Sequence, residues 1–132
     1  MAIREILLAD NPLLRQKAKR VRKFDASLRA LVEDMVETMH ATNGVGLAAP
    51  QIGVSLRLFV AQLPEDYEDP LAGQLLVFFN PEILKNSGEE EGEEGEEGCL
   101  CLPGYVGGVV RATEVTIKGQ DEWGRKIGRA HV

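Results

Sequence analysis

The sequence predicts an α+β fold in which N-terminal helices are followed by mostly antiparallel sheet. Two observations carry this reading: helical periodicity early in the chain, and a succession of short β-like runs after it. Asn11 and Pro12 open a first short helix through Ala18, with Asn11 suited to the N-cap and Pro12 to the first helical position. From Ser27 onward, Leu28, Leu31, Val32, Met35, Val36 and Met39 recur with the spacing of one helical face. Arg29, Glu33, Asp34 and Glu37 fall mostly away from that stripe, and Asn43-Gly44 is placed to end the helix. His40, at the end of the stripe, is expected to be a partly buried packing residue.

The strands follow. Residues 56–61 form one, and residues 75–79 form a more buried one that Asn80-Pro81 should end. Between them, residues 64–73 read as an acidic loop. Residues 106–112 and 115–118 are β-like, and Asp121-Glu122-Trp123-Gly124 turns into a last strand around Arg125-Lys126-Ile127. His131, the penultimate residue, is expected to be unstructured.

The 132 residues suffice for one domain with a single core, and the apolar fraction of 44% is ordinary for a globular protein. The formal charge of −6 is local in origin: seven glutamates crowd into residues 89–97, and removing them leaves +1. Residues 88–98 therefore read as a solvated Glu/Gly loop. No basic stripe interleaved with aromatics is present, which argues against a nucleic-acid partner. The first ten residues hold too short an apolar stretch for a signal peptide. No span approaches the roughly 20 apolar residues of a membrane helix, so the expectation is a cytoplasmic protein without a membrane partner. Cys99 and Cys101, one residue apart, make a poor structural disulfide.

Two segments carry the chemistry. Gly44-Val45-Gly46-Leu47-Ala48-Ala49-Pro50-Gln51 sets flexible and small residues where a helix gives way to strand, which lets backbone approach a ligand closely. Taken alone, glycines so spaced could equally do no more than turn the chain. Glu97-Gly98-Cys99-Leu100-Cys101 offers a thiolate, a soft ligand for zinc or ferrous iron, although a lone cysteine is also a common small core residue.

Together these segments resemble the first two signature motifs of the peptide deformylase family, Gly-apolar-Gly-apolar-Ala-Ala-x-Gln and Glu-Gly-Cys-apolar-Ser. Cys101 stands where that pattern has serine. The resemblance runs from Ile6 to about Ile127. It implies a peptide deformylase-like fold and metal-dependent hydrolytic removal of the N-formyl group from formyl-methionine of nascent proteins, with Fe2+, or Zn2+ or Ni2+, as the metal. By the same resemblance Cys99 is a metal ligand, Gln51 polarises the formyl oxygen, and the backbone N–H of Leu100 faces the oxyanion. Gly46 hydrogen-bonds the peptide and Val45 borders the methionine pocket. Glu97 is structural, with Arg111 its expected ion-pair partner. The implied partners are N-formylmethionyl nascent peptides, and the ribosome only indirectly.

The family's third motif, a helical His-Glu-x-x-His, supplies two more ligands and the catalytic acid/base. No His-Glu pair occurs in these 132 residues, whose only histidines are His40 and His131. The expectation is therefore an incomplete deformylase-like domain over 1–132, truncated before that motif, with the central metal-binding helix missing. Cys99 is then the only surviving ligand, the metal is not held tightly, hydrolysis is absent or impaired, and an uncovered apolar face favours self-association. The alternatives are a catalytically dead formyl-methionyl peptide-binding remnant and a fragment without function of its own.

Overall fold

The computed structural model describes residues 3–62, 64, 73–86, 93–98, 106–111 and 115–131. Asn11 caps the first turn as its side-chain oxygen accepts the Leu13 N–H at 3.0 Å. The turn is a 3-10 helix, Pro12–Arg15, and not a helix running to Ala18. None of its residues is buried, so no tertiary packing offsets the cost of further helical turns.

Helix α1 spans Ala26–Ala41, and Asp25 caps it. The Asp25 carboxylate accepts the Ser27 hydroxyl at 2.7 Å and the Leu28 N–H at 3.1 Å. Those two hydrogen bonds hold its pKa below the ordinary 3.8. The predicted stripe is buried at Leu28, Leu31, Val32, Met35 and Met39, with Thr38 beside it and Val36 packed against its margin. Met35 and Met39 are fully buried, each contributing about 1.5–3 kcal/mol through area removed from water. At the far end the Gly44 N–H reaches back to Met39 O at 2.9 Å and the Asn43 N–H to His40 O at 3.2 Å. Asn43 adopts φ 55° between them, so the helix ends in a Schellman motif with asparagine in the left-handed position.

All strand pairs are antiparallel. A five-stranded sheet has the order β1-β2-β3-β6-β7, and β4 pairs with β5 alone. The strands are β1 Gly46–Ala48, β2 Leu58–Gln62, β3 Leu75–Asn86, β4 Glu93–Gly98, β5 Val106–Arg111, β6 Val115–Gln120 and β7 Lys126–His131. Leu47, Leu58, Val60 and Phe79 join the α1 stripe, Val21, Ala49 and Ile52 in one core. Phe78, next to Phe79, points to the opposite face by strand alternation and stacks on Phe59 with centroids 5.4 Å apart. Its ring lies against β6 at Gly119, where an added Cβ would come within 2.8 Å of Phe78 Cδ1 and 2.9 Å of Phe79 O.

Several expectations change. Strand β3 does not end at Asn80-Pro81 but passes through it, with the register to β6 shifting between Phe79 and Glu82. Such a bulge tolerates proline because the ladder is already interrupted there. Asn80, at φ 51° and 6% exposed, holds the bulge with its side chain. Its oxygen accepts the Val21 N–H at 2.7 Å, and its nitrogen donates to Val21 O at 2.9 Å and Gln120 Oε1 at 2.7 Å. Residues 93–98 of the expected acidic loop form β4, because backbone pairing to β5 outweighs the weak strand propensity of glutamate and glycine; residues 88–92 lie outside the described residues. The β4–β5 register sets Arg111 opposite Glu93 and Glu97 opposite Gly107, four positions away, so the ladder does not align Glu97 with Arg111. His131 is paired backbone to backbone with Val115 in β7, not unstructured.

Candidate functional site

The glycine-rich segment becomes β1 and the turn behind it. Strand β1 is the edge of the five-stranded sheet, and its register sets Gly46 opposite Ala61, Leu47 opposite Val60 and Ala48 opposite Phe59. The Val45 carbonyl accepts the Gln62 N–H at 2.8 Å. Because bonded and non-bonded pairs alternate along an antiparallel ladder, Leu47 is the next residue bonded to β2. The N–H and C=O of Gly46 and of Ala48 therefore face the open edge.

Ala48 has its N–H engaged within the chain, by Gln51 Oε1 at 2.9 Å. Gly46 is thus the position at which β1 presents backbone outward. A Cβ added there would meet only Val60 O, at 3.7 Å, an ordinary contact. Neither sterics nor a positive φ demands glycine at 46, and the bare backbone leaves that edge accessible.

Gln51 lies in the 3-10 turn Ala49–Ile52, which has Pro50 in its first turn and ends at Gly53 with φ 84°. Its carbonyl accepts the Leu7 N–H at 2.8 Å, pinning the turn to the N-terminal segment. With its side-chain oxygen held by Ala48, the amide nitrogen is the donor end. Val45, at the entrance to the strand, is 53% exposed. The structure thus brings Val45, Gly46 and Gln51 together on one short stretch. Cys99, Leu100 and Cys101 lie outside the described residues.

His40 is exposed and not a buried packing residue, because α1 ends beside it. Its Nε2 lies 2.7 Å from Gln62 Oε1, at the end of β2. Nothing local in the sequence marks that pair, whose members are 22 residues apart.

The family model for polypeptide deformylase matches residues 3–130. The chain belongs to the peptide deformylase family. It is 46% identical over 125 residues to the peptide deformylase of Dehalococcoides mccartyi strain BAV1, covering 95% of this chain and 70% of that protein. It is 49% identical over 127 residues to that of Symbiobacterium thermophilum, covering 96% and 55%. Among solved structures, the Legionella pneumophila peptide deformylase superposes with a TM-score of 0.86 at 46% identity, over 98% of this chain and 72% of that one. The Ehrlichia chaffeensis peptide deformylase in complex with actinonin gives 0.91 at 36% identity, over 99% and 76%. The α+β, deformylase-like fold expected from the motifs is the fold observed.

Peptide deformylases are metallohydrolases. Among the described residues, no three His, Cys, Asp or Glu side chains gather where they could hold a metal. The His40 ring is held at Gln62 on β2, and the backbone of His131 is paired in β7, three strands along the sheet from β2. The described residues therefore do not fit the three-ligand site of a catalytic metal.

Proposed function

We propose that these 132 residues form the peptide-holding part of a deformylase, in which the outer edge of β1 receives an extended N-formylmethionyl peptide. The observation that carries this reading is the outward N–H and C=O of Gly46 beside a Gln51 amide whose donor end is fixed by the Ala48 N–H. An extended peptide laid antiparallel to β1 gains two backbone hydrogen bonds from Gly46, as in other cases of strand addition. Val45 then borders the methionine side chain. The Gln51 amide donates to the formyl oxygen, and the Leu100 N–H is its second donor, a pairing that stabilises an oxyanion.

Hydrolysis is a separate matter. Cys99 supplies one ligand for Fe2+, Zn2+ or Ni2+, and the two histidines and the glutamate of His-Glu-x-x-His are not among these residues. The 132-residue chain by itself therefore binds formylated peptide without turning it over, in the cytoplasm where nascent chains emerge. Among the described residues, no helix is long and apolar enough to cross a membrane.

Calorimetry with formyl-Met-Ala-Ser in the presence of a chelator tests the reading, with Met-Ala-Ser as control. The expected result is selective binding of the formylated peptide without metal. Equal or absent binding of both peptides would overturn it. Formate release on adding ferrous iron or nickel, lost in Cys99→Ala, would show that ligands from outside this sequence complete a metal site.

A further inference from the structure

Gln62, the last residue of β2, joins three segments that meet at the start of β1. Its backbone N–H donates to Val45 O at 2.8 Å. Its side-chain nitrogen donates to Gly73 O at 2.9 Å, and its side-chain oxygen faces His40 Nε2 at 2.7 Å. A carbonyl only accepts, so the amide nitrogen must face Gly73 and the oxygen must face the imidazole. His40 consequently carries its proton on Nε2. Both polar ends of the amide are committed, one to the last turn of α1 and one to the approach to β3.

We infer that Gln62, oriented by His40, is a positioning residue that holds Val45 and Gly46 in the extended register needed to accept a peptide strand. The inference rests on the proposed peptide-binding role of the β1 edge. Strand β1 is three residues long and follows a left-handed Asn43 and the permissive Gly44, so little local stiffness fixes where it starts. The Val45 carbonyl is the first tie to β2 after that hinge, and its donor is the residue whose side chain is clamped on both sides. Loosening the clamp leaves the core intact, because Leu47 and Val60 are buried independently of it. It frees Val45 and Gly46 to turn away from the edge.

Gln62→Met keeps the length of the side chain and the backbone hydrogen bond but removes both amide contacts. His40→Ala removes the orienting donor, and His40→Gln restores an N–H near the same place. Affinity for formyl-Met-Ala-Ser is measured by calorimetry in chelator, well below each variant's melting temperature, and amide hydrogen exchange is followed at residues 47 and 62. Gln62→Met should weaken binding roughly tenfold and speed exchange at residue 62 while exchange within α1 is unchanged. His40→Ala should weaken binding severalfold, and His40→Gln should recover most of the loss.

Gln62→Met binding within about twofold of the parent would overturn the inference, as would equal losses in the two His40 variants. If the parent chain binds no formylated peptide, the proposed function fails on its own. Exchange then decides: faster exchange at residue 62 in both Gln62→Met and His40→Ala, but not in His40→Gln, upholds the positioning role, and unaltered exchange rejects it.

Discussion

Replacing Gly46 with proline separates the open edge from the fold that carries it. Proline removes the one N–H that β1 presents outward, while the bonds to β2 run through Val45 and Leu47 and are untouched. Proline is tolerated on an edge strand when its nitrogen faces away from the ladder. A Cβ at this position would meet only Val60 O, at 3.7 Å, and the ring closes on the nitrogen that faces away from β2. The folded chain should melt within a few degrees of the parent. Binding should suffer in two ways: a hydrogen bond of about 1 kcal/mol net is lost, and a peptide carbonyl is left facing a ring carbon at about 1–2 kcal/mol. The sum of about 2–3 kcal/mol corresponds to a roughly 30- to 150-fold weaker affinity for formyl-Met-Ala-Ser. Calorimetry gives the affinity, and a thermal melt on the same sample gives the fold. Unchanged affinity in a well-folded Gly46→Pro would refute the outward placement of that N–H as a binding element. Gly46→Ala is the control: its Cβ fits, and the loss of unfolded-state freedom should leave stability equal or higher by about 0.4–1 kcal/mol.

Gln51→Glu keeps an oxygen for the Ala48 N–H but replaces the donor end with a carboxylate, so binding of formylated peptide to the folded variant, measured below its melting temperature, should fall at least about tenfold. A variant that binds as well as the parent would remove Gln51 from the formyl site. Gly119→Ala should drive a methyl into the Phe78 ring and Phe79 O, costing about 1–3 kcal/mol and lowering the melting temperature by roughly 4–10 °C; an unchanged melt would mean that β6 shifts away from β3 at little cost. Asp25 has a lowered folded-state pKa, so its stabilisation is complete above the unfolded value of about 3.9 and is lost as pH falls through the folded value. Asp25→Asn keeps a capping oxygen but does not titrate, and its melting temperature should fall less steeply than the parent's below about pH 4. Identical acid slopes would argue against the cap as a contributor.

What the sequence showed of the fold was what is encoded locally. The α1 stripe was legible because 3.6-residue periodicity needs no knowledge of the partner surface, and the Asp121–Gly124 turn because a glycine at φ 84° leaves a compositional mark. The course of β3 through Asn80 was not, since the bulge depends on Val21, 59 residues away, taking the place of a ladder partner. Strand β4 was hidden for a similar reason: Glu-Glu-Gly-Glu-Glu-Gly has little strand character until β5 pairs with it. At the candidate site, the glycine motif pointed to Val45, Gly46 and Gln51 because those residues are contiguous. The pairing of His40 with Gln62 was not legible, because only the fold brings the two within hydrogen-bonding distance, and His40 read alone suggested packing.

The shortness of β1 has a kinetic consequence. A strand of three residues, hemmed by a helix end and a 3-10 turn, offers a visiting chain few outward backbone groups, chiefly the N–H and C=O of Gly46. At about 1 kcal/mol net apiece, those contacts alone hold nothing for long. An arbitrary extended segment, including the edge of another copy of this chain, therefore departs almost as soon as it arrives. On the proposed reading, a terminus that also engages the Val45 border and the Gln51 amide dwells there longer, and the edge then sorts chain ends by how long they stay.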